Sequence, residues 1–164
     1  MSIELGISLA ELLAWNDEAA HNWKNHLESN PALLEVACDI GNTGNVHGFA
    51  RHIWGAELRW AQRLAGLENT ESAKGPLDAL FAMHIEARDV FRGLIDGPAA
   101  AWAEPYELKF DWIPQDQRRV SRRKIASHAL FHSQRHYAQL ATLARTAGYP
   151  ASFRGDILFS AAMR

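Results

Sequence analysis

The sequence predicts an all-α protein, a four-helix bundle with one long crossover and a short additional helix near the C-terminus. Four segments of about 20 residues carry apolar side chains at helical spacing. Breaks that contain Gly or Pro separate these segments, and one long stretch without helical period lies between the last two. Four amphipathic helices of this length bury their apolar faces best against one another, as in a helical bundle.

The first helix is expected from Ser8 to about Ser29. Ser8 and Glu11 have the spacing of a capping box, in which each side chain binds the other residue's backbone N–H. The Asn30-Pro31 pair ends the helix, and a short apolar piece, 33–40, follows it.

The next two helices follow the break at 41–44. The second runs from about Asn45 to Leu67, and its apolar arc is wide enough to contact more than one neighbour. The third runs from about Pro76 to Asp96, with proline at its start and the Gly97-Pro98 pair after its end, as helix ends favour.

The segment 98–119 is read as the crossover, with a short hairpin in it. Residues 107–111 alternate weakly, and 118–121 could pair back with them across the turn at Pro114. The fourth helix is expected from about Ser121 to Ala147, followed by Gly148. The stretch from Asp156 to Met163 is predicted to form one more small helix.

Composition places bounds on function. The 164 residues suit a single domain, 1–164, and the net charge of −2 argues against nucleic acid as the main partner. No apolar run reaches the length of a membrane span, and the polar start does not resemble a signal peptide. Cys38 is the single cysteine, which fits a reducing cytoplasm.

The eight histidines point to metal binding. On a helical wheel of the fourth helix, His132 and His136 lie in the middle of the predicted apolar face, whereas His128 lies at its margin. Two imidazoles four residues apart are about 6 Å apart and can converge on one ion. Core histidines that bind backbone or carboxylate groups are the commoner explanation of such a pair, so a third ligand on another helix is needed.

His52, at the rim of the second helix, is the best candidate for that third ligand, because three neutral imidazoles with an open position form the kind of site that catalytic zinc uses. His84 also lies within an apolar stripe, and a core histidine is its preferred interpretation; as a fourth ligand it would favour a structural metal. His47 and His26 are weaker competitors.

Three further residues border the predicted site. Glu57 could orient a ligand imidazole or act as a base, although a salt bridge to Arg88 is the preferred interpretation. His128 and Gln139 either support the ligands by hydrogen bonds or lie on a solvated helix edge.

Two other features remain open. A basic cluster precedes and begins the fourth helix; it is interpreted as a solvated face, with attraction of an anionic substrate or of a cofactor's carboxylates as the alternative. Its members are Arg118, Arg119, Arg122, Arg123 and Lys124. Trp102 and Trp112 could line a pocket or a dimer contact.

The segment from His128 to Gln139 resembles the signature on the last long helix of the DinB-like superfamily, H-x-x-x-H-x-x-x-H-x-x-Q. The stretch that begins at His52, with Glu57 and Trp60 after it, is similar to the second-helix motif of these bacterial four-helix-bundle metalloproteins, and the likeness covers nearly the whole chain. Tyr137 and Ala138 stand where the family usually has a basic residue and a glycine after the last histidine.

The resemblance implies an up-down-down-up bundle with His52, His132 and His136 as ligands of one divalent ion such as Zn, Ni, Mn or Fe. It also implies a homodimer and a small-molecule substrate. Relatives include transferases and isomerases that use low-molecular-weight thiols, so a thiol-dependent enzyme is expected, with metal-assisted hydrolysis as a second enzymatic option. The rival from another class is a non-catalytic, stress-linked binding or scaffold bundle whose metal is structural or absent.

Overall fold

The computed structural model describes residues 6–162 and contains four long helices. They are α1 (Leu9–Ser29), α2 (Val46–Ala65), α3 (Leu77–Ile95) and α4 (Arg122–Thr146). The four-helix fold class is therefore confirmed, and each helix lies within two residues of its predicted bounds.

Local side-chain chemistry sets the helix ends. Ser8 and Glu11 form the predicted capping box at the start of α1. The Asn45 and Ser121 side chains accept N–H bonds at the starts of α2 and α4. Gly66 ends α2 with a φ of 72°, which glycine adopts without steric cost, so this helix stops before the predicted Leu67.

The helices α2 and α3 run parallel, because the segment between them returns along the whole of α2. Near the end of α2, Gln62 hydrogen-bonds to Thr70, and near its start His47 hydrogen-bonds to the carbonyl of Gly75. The connection between α3 and α4 is the longest in sequence, as predicted. However, the link that runs the length of the bundle is the 66–76 segment.

The direction of α4 completes an up-down-down-up topology. His26 near the end of α1 contacts the carbonyl of Tyr149 just beyond the end of α4, so these two helices are parallel. Arg122 at the start of α4 binds the carbonyl of Leu64 at the end of α2, so α2 and α4 are antiparallel.

The described residues also form two short β-hairpins. The first pairs β1 (Ala37–Cys38) with β2 (Gly44–Asn45) across the predicted Gly-rich break. The second pairs β3 (Pro105–Glu107) with β4 (Arg119–Ser121), with Tyr106 opposite Val120. The predicted hairpin is thus present, but its first strand begins at Pro105 and overlaps the predicted range 107–111 only at Glu107.

The C-terminal tail packs on α1 through Ser160, whose hydroxyl donates to a carboxylate oxygen of Glu18. The helix predicted from Asp156 to Met163 is wrong in extent, because only a single 3₁₀ turn, Ile157–Phe159, forms. Met163 lies outside the described residues.

None of the helices in the described range, 6–162, combines the length and the apolar character that crossing a lipid bilayer requires.

Candidate metal centre

Three imidazoles from two antiparallel helices meet at one place. His52 comes from α2, while His132 and His136 come from successive turns of α4. One ring nitrogen from each lies within 4.8 Å of the other two. The ring centroid of His52 is 5.4 Å from that of His132 and 5.1 Å from that of His136.

The buried face of α4 is rotated relative to the predicted one. Leu130, Ser133 and Tyr137 are buried because α4 packs against both α1 and α2. His136 is buried near the edge of this face, and His132 lies further out and is partly exposed. The prediction that both histidines lie at the centre of the buried face is therefore wrong. Their position at the edge opens the three-histidine group toward solvent.

The environment keeps these three imidazoles neutral. Burial lowers the pKa of His52, of His132 and of His136, and the nearby Arg135 guanidinium lowers all three further. The pKa of His132, which faces both other rings, falls to about 3. Neutral imidazole is the form that binds a metal ion, so the site carries free ligand lone pairs at neutral pH.

The geometry fits a divalent ion. The Nε2 atoms of His132 and His136 are 3.0 Å apart. Two nitrogens bound to one ion at about 2.1 Å are separated by about 3.0–3.4 Å, depending on the coordination angle. Nδ1 of His132, the ring nitrogen that does not face His136, is a buried polar atom without a hydrogen-bond partner in the described structure.

Gln139 supports the site directly. Its Oε1 atom is 2.6 Å from Nδ1 of His136, so the ring donates its Nδ1 proton there and leaves the Nε2 lone pair toward the other histidines. His128 lies beside His132, with ring centroids 5.9 Å apart, but no hydrogen bond joins the two rings in the described structure.

Phe49, one turn before His52 on α2, packs against two of the three imidazoles. Its ring stacks near that of His52, with an interplanar angle of 16°, and meets that of His136 edge to face at 5.1 Å. A fully buried aromatic side chain at this position holds both imidazoles and excludes water from behind them.

Glu57 belongs to a different cluster. It is 2% exposed, accepts a hydrogen bond from the Asn16 amide, and lies 2.7 Å from Nδ1 of His84. The preferred salt bridge to Arg88 is wrong, because Arg88 binds Asp17 and Asp89 instead. The carboxylate likewise makes no hydrogen bond to the three-histidine group in residues 6–162.

His84 is a doubly paired cation in the core. Its Nε2 atom lies 3.0 Å from Asp17, opposite the contact to Glu57. Burial alone would lower the pKa of His84, but the two carboxylates outweigh it and raise the pKa to about 9. Asp17, His21 and His84 are close enough to surround an ion. However, the imidazolium of His84 has no lone pair to offer.

Sequence reasoning missed several polar members of these clusters. Asn16, in the apolar stripe of α1, is fully buried and joins Glu57 to Gln134 of α4. A polar residue within an apolar stripe was the available signal that Asn16 is buried. Arg135 was missed because no motif marks it; it lies between His132 and His136 in the chain and acts by lowering the pKa of the imidazoles.

The comparison with protein families confirms the resemblance drawn from the histidine motifs. A family model described as the DinB family matches residues 1–154. No curated protein and no solved structure gives a significant match. Since the matched region covers nearly the whole chain and includes His52, His132 and His136, the chain belongs to the DinB family.

Proposed function

We propose that this protein is a metal-dependent enzyme that holds one divalent ion through His52, His132 and His136 and acts on a small molecule. The observation that carries the proposal is the convergence of three neutral imidazole nitrogens within 4.8 Å. Three imidazoles leave at least one coordination position free for a substrate, cofactor or water molecule.

The chain's own residues prepare this site in the absence of the ion. His136 donates through Nδ1 to Gln139, which fixes the tautomer in which Nε2 carries the lone pair. Phe49 packs behind two of the rings and keeps the ligand atoms pointing outward. A divalent ion held there would lower the pKa of a thiol or water that reaches it, and so supply a nucleophile at neutral pH.

The charges around the site favour an anionic ligand. The guanidinium of Arg135 acts on all three histidines, and that of Arg59 acts on His52. Cations that already depress the protonation of neighbouring imidazoles also stabilise a thiolate or carboxylate at the same place. This supports a low-molecular-weight thiol as cofactor, and the protein is proposed as a thiol-dependent transferase or isomerase.

Metal analysis followed by an activity screen tests the proposal. Purified protein is expected to contain or take up about one Zn, Ni, Mn or Fe ion per chain. The loaded protein is then incubated with electrophilic acceptors in the presence and absence of low-molecular-weight thiols. Turnover that requires both the ion and a thiol supports the proposal. Turnover that requires the ion but no thiol indicates metal-assisted hydrolysis instead.

Matched variants make the screen specific. His132→Ala removes a proposed ligand and is expected to abolish activity. His47→Ala is the matched control, because it alters an imidazole that binds the carbonyl of Gly75 and not the three-histidine group. An ion bound at full occupancy without turnover of any acceptor would favour the non-catalytic bundle. No binding of any of the four metals would refute the proposal.

The cytoplasmic location and the homodimer stay predictions. Light scattering of the purified protein measures the oligomeric state, and twice the chain mass of 18.3 kDa is the expected value.

A further inference from the structure

A cavity of about 570 Å³ lies between the α3–α4 connection and the first turns of α4. This volume is within the range of small-molecule sites, and the hairpin of β3 and β4 holds the connection over it. The cavity does not include the three-histidine group. Its walls are Trp60, Leu108, Trp112, Ile113, Pro114, Asp116, Gln117, Arg119, Val120, Lys124, Ile125 and His128.

Two tryptophans, Trp60 and Trp112, line this cavity. Phe110 is not among the lining residues but contacts both of them, at centroid distances of 5.8 Å from Trp60 and 5.5 Å from Trp112. The Arg63 guanidinium covers the rings of Trp60 and Phe110, at 5.0 and 5.1 Å. Trp112 is 79% exposed, so most of its planar ring surface is open to a ligand at the cavity. Flat, apolar ligand rings pack well on such a wall.

The polar groups of the cavity favour an anion. Lys124 and Arg119 provide two cations, against one carboxylate from Asp116. In residues 6–162 the side chains of Lys124 and Arg119 make neither a salt bridge nor a hydrogen bond with protein groups, so both are available to a ligand. A small-molecule site with an apolar wall and a few charged groups orients a ligand by its charged end.

The cavity adjoins the candidate metal centre along α4. Lys124, His128 and His132 follow one another at intervals of four residues, so they lie on one face of the helix. The backbone rise from Lys124 to His132 is about 12 Å. His128 stands between them, with its ring 5.7 Å from Trp60 and 5.9 Å from His132.

We propose that this cavity binds a planar aromatic carboxylate, with its ring on Trp60 and Trp112, its carboxylate at Lys124, and its other end directed past His128 toward His132. As an identification of the substrate class, this inference rests on the proposed function. Binding itself depends on the cavity alone and is measured without metal.

Equilibrium dialysis of chelator-treated full-length protein tests the inference, with 2-naphthoate as the probe and 2-naphthalenemethanol as its uncharged analogue, at about 0.15 M salt to screen remote charges. One molecule of naphthoate per chain is expected to bind with a dissociation constant of about 1 mM or tighter. The alcohol is expected to bind about fivefold more weakly, because it lacks the ion pair.

Three exposed positions provide the variants, so folding is not at risk. Lys124→Gln is expected to weaken naphthoate about fivefold and to leave the alcohol unchanged. Trp112→Ala is expected to weaken both probes about tenfold. Arg123→Gln, which removes a cation beside the cavity but outside its lining, is the matched control and leaves both affinities unchanged.

Each alternative outcome overturns the inference. Absence of saturable naphthoate binding, or an unchanged affinity in Trp112→Ala, would show that the cavity is not an aromatic site. Equal affinities of acid and alcohol, or an equal loss in Lys124→Gln and Arg123→Gln, would refute the carboxylate assignment. Because the protein is metal-free in this assay, none of these results depends on the three-histidine site.

Discussion

Raising the pH from 7 to 9.5 is expected to lower the free energy of unfolding of the metal-free protein by about 2 kcal/mol, because His84 loses its proton. The imidazolium lies between Glu57 and Asp17 and is 1% exposed. In the unfolded chain its pKa is about 6.5, whereas the carboxylates hold it at about 9 in the folded protein. The folded state therefore keeps a proton that the unfolded state has already released.

The sign and size follow from these two pKa values. Below about pH 6.5 both states are protonated and the ion-pair contribution is fully present; it is lost as the pH rises through about 9. One pKa unit corresponds to about 1.4 kcal/mol, so most of the loss falls between pH 7 and 9.5. The lowered pKa values of His52, His132 and His136 act in the opposite direction, but mainly below pH 6.5, outside this window.

Urea unfolding at the two pH values, in the presence of a chelator, measures the effect. His84→Gln is expected to be less stable at pH 7, by about 3–5 kcal/mol, because it leaves the buried Glu57 carboxylate without its cation. It is also expected to lose the pH dependence. His47→Gln alters a histidine that hydrogen-bonds to a backbone carbonyl, and this variant is expected to keep the pH dependence of stability. Asp17→Asn removes one of the two carboxylates and is expected to reduce the decrease without abolishing it.

A wild-type stability that stays constant from pH 7 to 9.5 would refute the reasoning. So would a decrease that persists in His84→Gln, because it would then arise from other groups.

The remaining predictions concern the metal centre. In titrations with Zn²⁺, three variants are each expected to lose the ion: His52→Ala, His132→Ala and His136→Ala. His128→Ala is expected to weaken zinc binding by at most about 10–100-fold. Loss of the ion in His128→Ala with retention in His136→Ala would show that His132 and His136 are the wrong pair of ligands. Zinc affinity is expected to stay high at pH 7 and to fall only below the ordinary histidine pKa of about 6.5, since burial and nearby charge lower the pKa of the three imidazoles; an affinity that declines already between pH 8 and 7 would contradict this. Chelation is expected to lower the melting temperature but to preserve the helical circular dichroism signal, because the bundle core forms without the ion; a signal that collapses on chelation would contradict that core.

The sequence by itself determined the helices and their ends. Capping residues such as Ser8 and Ser121, and the Gly66 that follows α2, act on the backbone within a few residues, so they can be read without a tertiary structure. The same holds for the pairing of His132 with His136, since a spacing of four places both on one face of any helix. His52 as the third member rested on its rim position and on the family motif.

Only the tertiary structure decided which way each helix faces and which polar groups meet. The buried face of α4 is set by contact with α1 and α2, so the wheel placed His132 and His136 too close to its centre. The partner of Glu57 is His84 rather than Arg88, because α2 and α3 run parallel and bring those two side chains together deep in the core. The cavity beside Trp112 likewise depends on how the α3–α4 connection folds back over α4. These are contacts between residues distant in the chain, and no local pattern encodes them.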